Sequence, residues 1–116
     1  MLLEKELEKA KELLVIVEGK NDEASLEKLG FTSIFVLKKG GKSLGEKIEE
    51  IEKIAGEKKV CILSDFDKEG KKIYALLKEE FIKRGMKMDN HLRKVLMDEK
   101  ISHIEGLDSF LENEIE

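Results

Sequence analysis

The sequence is short of cysteine and of long apolar runs, and each shortage excludes a class of protein. Cys61 is the single cysteine, so neither a disulfide framework nor a cysteine-ligated zinc site can form within one chain. The longest apolar run, Leu13 to Val17, is far shorter than the ~20 residues that span a bilayer, which argues against a membrane protein. No signal or transit peptide is recognisable, and a reducing cytoplasm is therefore the expected setting.

Aromatic residues and positive charge are also in short supply. Aromatic residues make up 5% of the chain, and the formal net charge is -4. Proteins that bind single-stranded nucleic acid stack its bases on aromatic side chains. Binding of nucleic acid over a whole protein surface requires many basic groups. Any contact with nucleic acid is therefore expected at a local patch, with substrate selection supplied by a protein partner.

Arginine and glutamine are scarce as well. The chain has two arginines and no glutamine, beside 20 lysines and 20 glutamates. This charge pattern is typical of hyperthermophilic proteins and predicts a thermophilic source. The charged and hydrophobic fractions are 41% each, which excludes a disordered chain, and a length of 116 residues fits one domain spanning 1–116.

Apolar segments that alternate with amphipathic ones predict an α/β fold. Three segments are apolar on both faces, as in central parallel strands: Leu13–Val17, Ile34–Leu37 and Val60–Leu63. Helical spacing predicts a helix before the first segment and one after each of the three, and Ser43 with Glu46 forms a capping-box pattern. In the C-terminal third, the pattern predicts a helix from Met88 to Leu96, a short strand at 101–104 and a terminal helix. The expected fold is compact and Rossmann-like, with about four mainly parallel strands flanked by helices.

Acidic residues follow two of these predicted strands. Glu18 comes directly after Val17, and Asp65 and Asp67 follow the third strand at a spacing that can point both carboxylates to one side. Because functional groups collect at the carboxyl ends of parallel strands, we expect the three carboxylates to lie together, where a cation would offset their repulsion. Oxygen ligands favour Mg²⁺, with Mn²⁺ able to substitute. The alternative interpretation is that these acids cap the helices that follow them.

Two longer motifs resemble a known family. The segment Val15-Ile16-Val17-Glu18-Gly19-Lys20-Asn21-Asp22, followed some fifty residues later by Ser64-Asp65-Phe66-Asp67-Lys68-Glu69-Gly70-Lys71, is similar to the Toprim domain of topoisomerases, bacterial-type primases, nucleases and recombination-repair proteins. The resemblance places the motif-bearing core at 13–81 and a helical extension at 86–116. Among its members, the chain looks most like the nuclease that matures ribosomal RNA and like small stand-alone Toprim proteins.

The resemblance implies a role for each matching residue. Glu18 matches the general acid/base glutamate, Asp65 and Asp67 match the magnesium-binding aspartates, and Glu69 lines up with a further acid of some branches, a candidate metal ligand. Tyr74 lies within the predicted helix after the aspartates, where packing is expected rather than the nucleophilic role that a topoisomerase needs. A whole primase would require a zinc module, which one cysteine cannot supply.

Lysines surround both motifs. A predicted patch for nucleic-acid phosphates contains Lys20, Lys38, Lys39, Lys42, Lys68 and Lys71. The alternative is that these lysines are simply solvated. Gly41-Lys42-Ser43 is not the end of a P-loop, because that motif would need glycine where Val36 stands.

The sequence also bears on the two histidines and on two other classes of α/β protein that carry acids at strand ends. His91 and His103 are isolated in the sequence and lack ligand spacing, so we expect surface or partly packed positions without a metal role. A phosphotransfer receiver and a haloacid-dehalogenase-type phosphatase are both disfavoured, because Glu18 is a single acid and Lys68-Glu69 follows the aspartate pair.

The expected function is Mg²⁺-dependent action on RNA or DNA phosphodiesters, as a small nuclease or a catalytic module of RNA processing, DNA repair or replication. The alternative is a non-catalytic, metal-binding adaptor subunit that binds nucleic acid.

Overall fold

The computed structural model describes residues 2–115, with side chains through residue 112. Its elements are α1 (Leu2–Ala10), β1 (Leu14–Val17), α2 (Lys20–Lys28), β2 (Ile34–Val36), α3 (Leu44–Ala55), β3 (Val60–Ile62), α4 (Lys68–Lys83), α5 (His91–Asp98), a 3₁₀ turn (Ile104–Gly106) and α6 (Leu107–Ile115). The first three predicted strands are confirmed, each one residue shorter than the apolar segment that predicts it. In the described part of the chain, no helix is both long and apolar enough to cross a bilayer.

The three strands form a parallel sheet in the order β2-β1-β3. Val15 at the centre lies opposite Ile34 on one side and Cys61 on the other. Because all pairs are parallel, the carboxyl ends of the three strands meet at one edge of the sheet. The residues that follow β1 and β3 are therefore neighbours, which is the arrangement that the sequence predicts for its acidic groups.

Helices cover both faces of the sheet, which explains why its strands are apolar throughout. Alternate residues of β1 point to opposite faces. Val15 and Val17 pack in one cluster with residues of α1, α2, α5 and α6, whereas Leu14 and Ile16 pack in a second cluster with residues of α3 and α4. Cys61 lies in the first cluster, and burial raises the pKa of its thiol to about 12, so it is an inert core residue.

The expectation of about four strands is wrong by one. The position beside β3 is occupied by a single bridge between Val60 and Met88, in which the Val60 NH donates to the Lys87 carbonyl and the Asp89 NH donates to the Val60 carbonyl. Pairing then ends because the Asn90 side chain, and not a further backbone carbonyl, accepts from the Ile62 NH at 3.0 Å. Helix α5 begins at the next residue.

The short strand expected at 101–104 is also wrong. Residues 101–103 have no regular structure, and Ile104 begins the 3₁₀ turn. The segment pairs instead with the loop after β3, where the Phe66 NH donates to the Ser102 carbonyl at 3.0 Å. Ile101 and Ile104 are buried and anchor it to the first core cluster. The apolar residues that suggest a strand in the sequence instead hold this segment against the loop that carries Asp65 and Asp67.

Candidate metal centre

Glu18 links the ends of the central strand β1 and its neighbour β3. It directly follows β1 and is only 6% exposed. Its Oε2 atom accepts a hydrogen bond of 2.7 Å from the main-chain NH of Asp65, which follows β3. Lys38 Nζ lies 3.7 Å from Oε1, and the Lys38 NH donates to the Glu18 carbonyl at 2.9 Å. These contacts with the segments that follow β2 and β3 therefore hold the carboxylate at the edge where the carboxyl ends of the strands meet.

The pKa of Glu18 reflects its burial and two neighbouring carboxylates. Burial raises the pKa of Glu18 above its ordinary value, and the negative charges of Asp65 and Asp67 raise it further. The hydrogen bond from the Asp65 NH and the charge of Lys38 act in the opposite direction. The acids predicted to meet at one edge do so, and their mutual repulsion is what a divalent cation would relieve.

Asp65 and Asp67 are each oriented by a main-chain NH. Asp67 Oδ1 accepts from the Gly70 NH at 2.8 Å and so caps α4. Asp65 Oδ1 accepts from the Ile104 NH at 3.0 Å. The capping interpretation of Asp67 is thus correct, but it does not compete with a metal role, because a cap uses one carboxylate oxygen and Asp67 turns Oδ2 toward His103.

Arg93 holds the loop that carries the two aspartates, and the sequence gives no sign of this role. Its guanidinium lies between the rings of Phe66 and Tyr74, at 4.4 Å and 4.2 Å from their centroids. It donates to the Ser64 carbonyl at 2.6 Å and to the Asp65 carbonyl at 3.4 Å. Tyr74 therefore has the packing role expected of it.

Asp22 lies in the first motif but is not among the site residues that the sequence predicts. It is buried, and its Oδ2 atom accepts from the Gly19 NH at 3.0 Å, which shapes the turn after Glu18. Burial raises the pKa of Asp22, and the charges of Asp65 and Glu105 raise it further while the hydrogen bond lowers it. A fourth acid therefore adds to the negative field at this edge.

His103 is exposed, as expected, but the structure places it beside the two aspartates, which its isolation in the sequence does not predict. Its Nε2 atom is 4.0 Å from Asp67 Oδ2. One ligand atom from each of Asp65, Asp67 and His103 lies within 4.8 Å of the others. The donor set fits a divalent ion. Glu69 is exposed in the first turn of α4 and is outside this group, so its metal role stays a prediction.

The predicted lysine patch is only partly assembled near these groups. Lys38 contacts Glu18, whereas Lys39 lies 4.0 Å from Glu23 and Lys42 lies 3.2 Å from Glu50 on α3. Lys20, Lys68 and Lys71 are exposed. Beside Glu18 there is a mainly apolar groove of about 280 Å³, whose lining residues are Leu37, Lys38, Leu44, Lys72, Ile73 and Leu76.

Comparisons with known proteins agree with this geometry. A family model for the Toprim domain matches residues 13–97. The UPF0292 protein MJ1624 of Methanocaldococcus jannaschii is 34% identical over 105 residues, which cover 88% of this chain and 80% of that protein. A solved structure of a protein from Aquifex aeolicus has a TM-score of 0.76 at 34% identity, covering 90% of this chain and 94% of the other.

The matched range contains both motifs. Toprim domains bind divalent metal and take part in nucleic-acid transactions, and the cluster of Asp65, Asp67 and His103 fits such an ion. The parallel sheet, the acids beyond its strands and the matched residues 13–97 show that the chain belongs to the Toprim domain family.

Proposed function

We propose that this protein is a divalent-metal-dependent hydrolase of nucleic-acid phosphodiesters, with Mg²⁺ or Mn²⁺ as its ion. The observation that carries the proposal is the contact between Glu18 and the main chain of Asp65, because a buried carboxylate then lies beside the two aspartates that we propose as metal ligands. A carboxylate with a raised pKa is a better proton acceptor than an exposed one, because it holds a proton more tightly once it receives it.

The residues of the site have different roles in the proposed hydrolysis. Asp65 and Asp67 would hold the ion, which supplies charge stabilisation to the phosphoryl oxygens when bound. Glu18 accepts a proton from water as the new P–O bond forms. The bond from phosphorus to the leaving oxygen breaks, and that oxygen takes up a proton from Glu18 or from solvent. Lys38, beside Glu18, is placed to attract the phosphate.

A cleavage screen tests this proposal. The full chain is incubated with labelled single- and double-stranded RNA and DNA, with Mg²⁺ or Mn²⁺, beside an Asp65→Asn/Asp67→Asn variant. We expect metal-dependent cleavage by the wild type, none by the variant, and a metal-induced rise in unfolding temperature that only the wild type shows. Binding without cleavage for every substrate would instead support the adaptor function, and identical stabilisation of the variant would refute the metal assignment.

Lys38 is expected to contribute more to nucleic-acid binding than the other lysines of its loop. Lys38→Gln should lower affinity several-fold and weaken its salt dependence, since one phosphate contact is lost at the site. Lys42→Gln is the matched control, because Lys42 pairs with Glu50 on α3. A gel-shift titration at several salt concentrations measures both. Equal effects of the two changes would show that the loop acts only through its overall charge.

A further inference from the structure

The segment that carries His103 is fixed to the aspartate loop on both sides of the histidine. Before it, the Ser102 carbonyl accepts from the Phe66 NH at 3.0 Å. After it, the Ile104 NH donates to Asp65 Oδ1 at 3.0 Å. Ile104 is fully buried, so this end of the segment cannot move without opening the core. The backbone of His103 is thus held at the site although its side chain is exposed.

The imidazole has one polar neighbour near each of its ring nitrogens. Its Nδ1 atom lies 3.0 Å from Ser102 Oγ, and its Nε2 atom lies 4.0 Å from Asp67 Oδ2. When Nδ1 carries the proton and donates it to the serine hydroxyl, Nε2 presents its lone pair toward the aspartates. Ligating histidines generally have such a partner on the second ring nitrogen.

The spacing suits a shared ion better than a simple ion pair. Nitrogen and oxygen ligands bind at about 2.0–2.2 Å, so two ligands of one ion lie no more than about 4.4 Å apart. The distance between His103 Nε2 and Asp67 Oδ2 is within this limit, but it is too long for a hydrogen bond. His91 offers a contrast, since its Nδ1 atom lies 3.3 Å from Asp89 Oδ1 as an ordinary surface pair.

We propose that His103 is a nitrogen ligand of the metal centre and that it makes this centre prefer Mn²⁺ to Mg²⁺. The inference rests on the metal dependence in the proposed function. Mg²⁺ favours oxygen ligands and retains its water, whereas imidazole is a ligand that transition metals accept readily. His103 lies beyond residues 13–97, the range matched by the Toprim model, so the nitrogen ligand is an addition to the family's acidic motif.

The test measures metal binding directly on the full chain with Mn²⁺ alone and with Mg²⁺ alone. Calorimetric titrations at about pH 7.5 compare wild type, His103→Gln and the matched control His91→Gln, because ligands must be deprotonated to bind. We expect His103→Gln to lower Mn²⁺ affinity by about tenfold or more and Mg²⁺ affinity by less than about threefold. His91→Gln should change neither.

Pulsed electron paramagnetic resonance of bound Mn²⁺ gives a readout that a merely structural role would not affect. The wild type and His91→Gln should show coupling of the metal to a ligand nitrogen, and His103→Gln should lose it while its circular dichroism spectrum stays native. Absence of nitrogen coupling in the wild type, or an unchanged Mn²⁺/Mg²⁺ affinity ratio in His103→Gln, would overturn the inference. Either result would leave the hydrolase proposal standing, since that proposal fails only if cleavage or metal binding by the aspartates is absent.

Discussion

Glu18→Gln is expected to lower the rate of phosphodiester cleavage by roughly 100-fold or more while leaving the fold and most of the metal affinity intact. Glutamine has nearly the same size and can still accept the hydrogen bond from the Asp65 NH, but it cannot take a proton from water. The measurement is a single-turnover rate at saturating metal. Asp65→Asn or Asp67→Asn should differ by lowering rate and metal affinity together.

The pH profile gives an independent check on the same residue. The pKa of Glu18 is raised, and only its deprotonated form can act as the base. The wild-type rate should therefore rise with pH as Glu18 loses its proton. In Glu18→Gln this rising limb should disappear. A variant that cleaves at the wild-type rate with the same profile would make Glu18 a purely structural residue.

The sequence could predict the centre of the fold because the relevant signals are local. The three strands are apolar on both faces, and the helix that begins after Ser43 has the capping box that its sequence predicts, with both hydrogen bonds at 3.2 Å. Glu18 directly follows β1, and Asp65 and Asp67 lie in the loop after β3. Once the strands are parallel and adjacent, their positions at one edge follow from topology alone.

The parts that the sequence did not reveal depend on contacts between distant residues. Arg93 reaches carbonyl groups 28 and 29 residues away, and the Ile104 NH reaches Asp65 across 39 residues. No periodicity marks such contacts. The same limit applies to the missing fourth strand, because the Asn90 side chain that ends the pairing is indistinguishable in sequence from an ordinary cap. The proximity of His103 to Asp67 could not be predicted for the same reason, because the two residues come from different segments.

For Gly70→Ala, the effect of helix propensity on stability and the effect of tertiary packing on stability have opposite signs. Gly70 lies in the first turn of α4, where alanine would ordinarily stabilise a helix by up to about 1 kcal/mol. In the folded chain, however, a Cβ atom at this position would lie 2.0 Å from the Asp65 carbonyl oxygen and 2.5 Å from its carbonyl carbon. The neighbour is main chain, which cannot rotate away as a flexible side chain can. Either the start of α4 or the aspartate loop must therefore move.

We expect Gly70→Ala to lower the free energy of unfolding by about 3 kcal/mol, measured by urea denaturation without metal. Movement of the loop should also disrupt the hydrogen bonds that Gly70 makes with Asp67 and Ser64, so metal affinity should fall as well. Gly45→Ala in the first turn of α3 is the matched control, because its Cβ would meet nothing closer than Ser43 Oγ at 4.0 Å. This control should be neutral or slightly stabilising. If both variants were stabilised alike, helix propensity alone would govern position 70, and the close approach between α4 and the aspartate loop would not exist in solution.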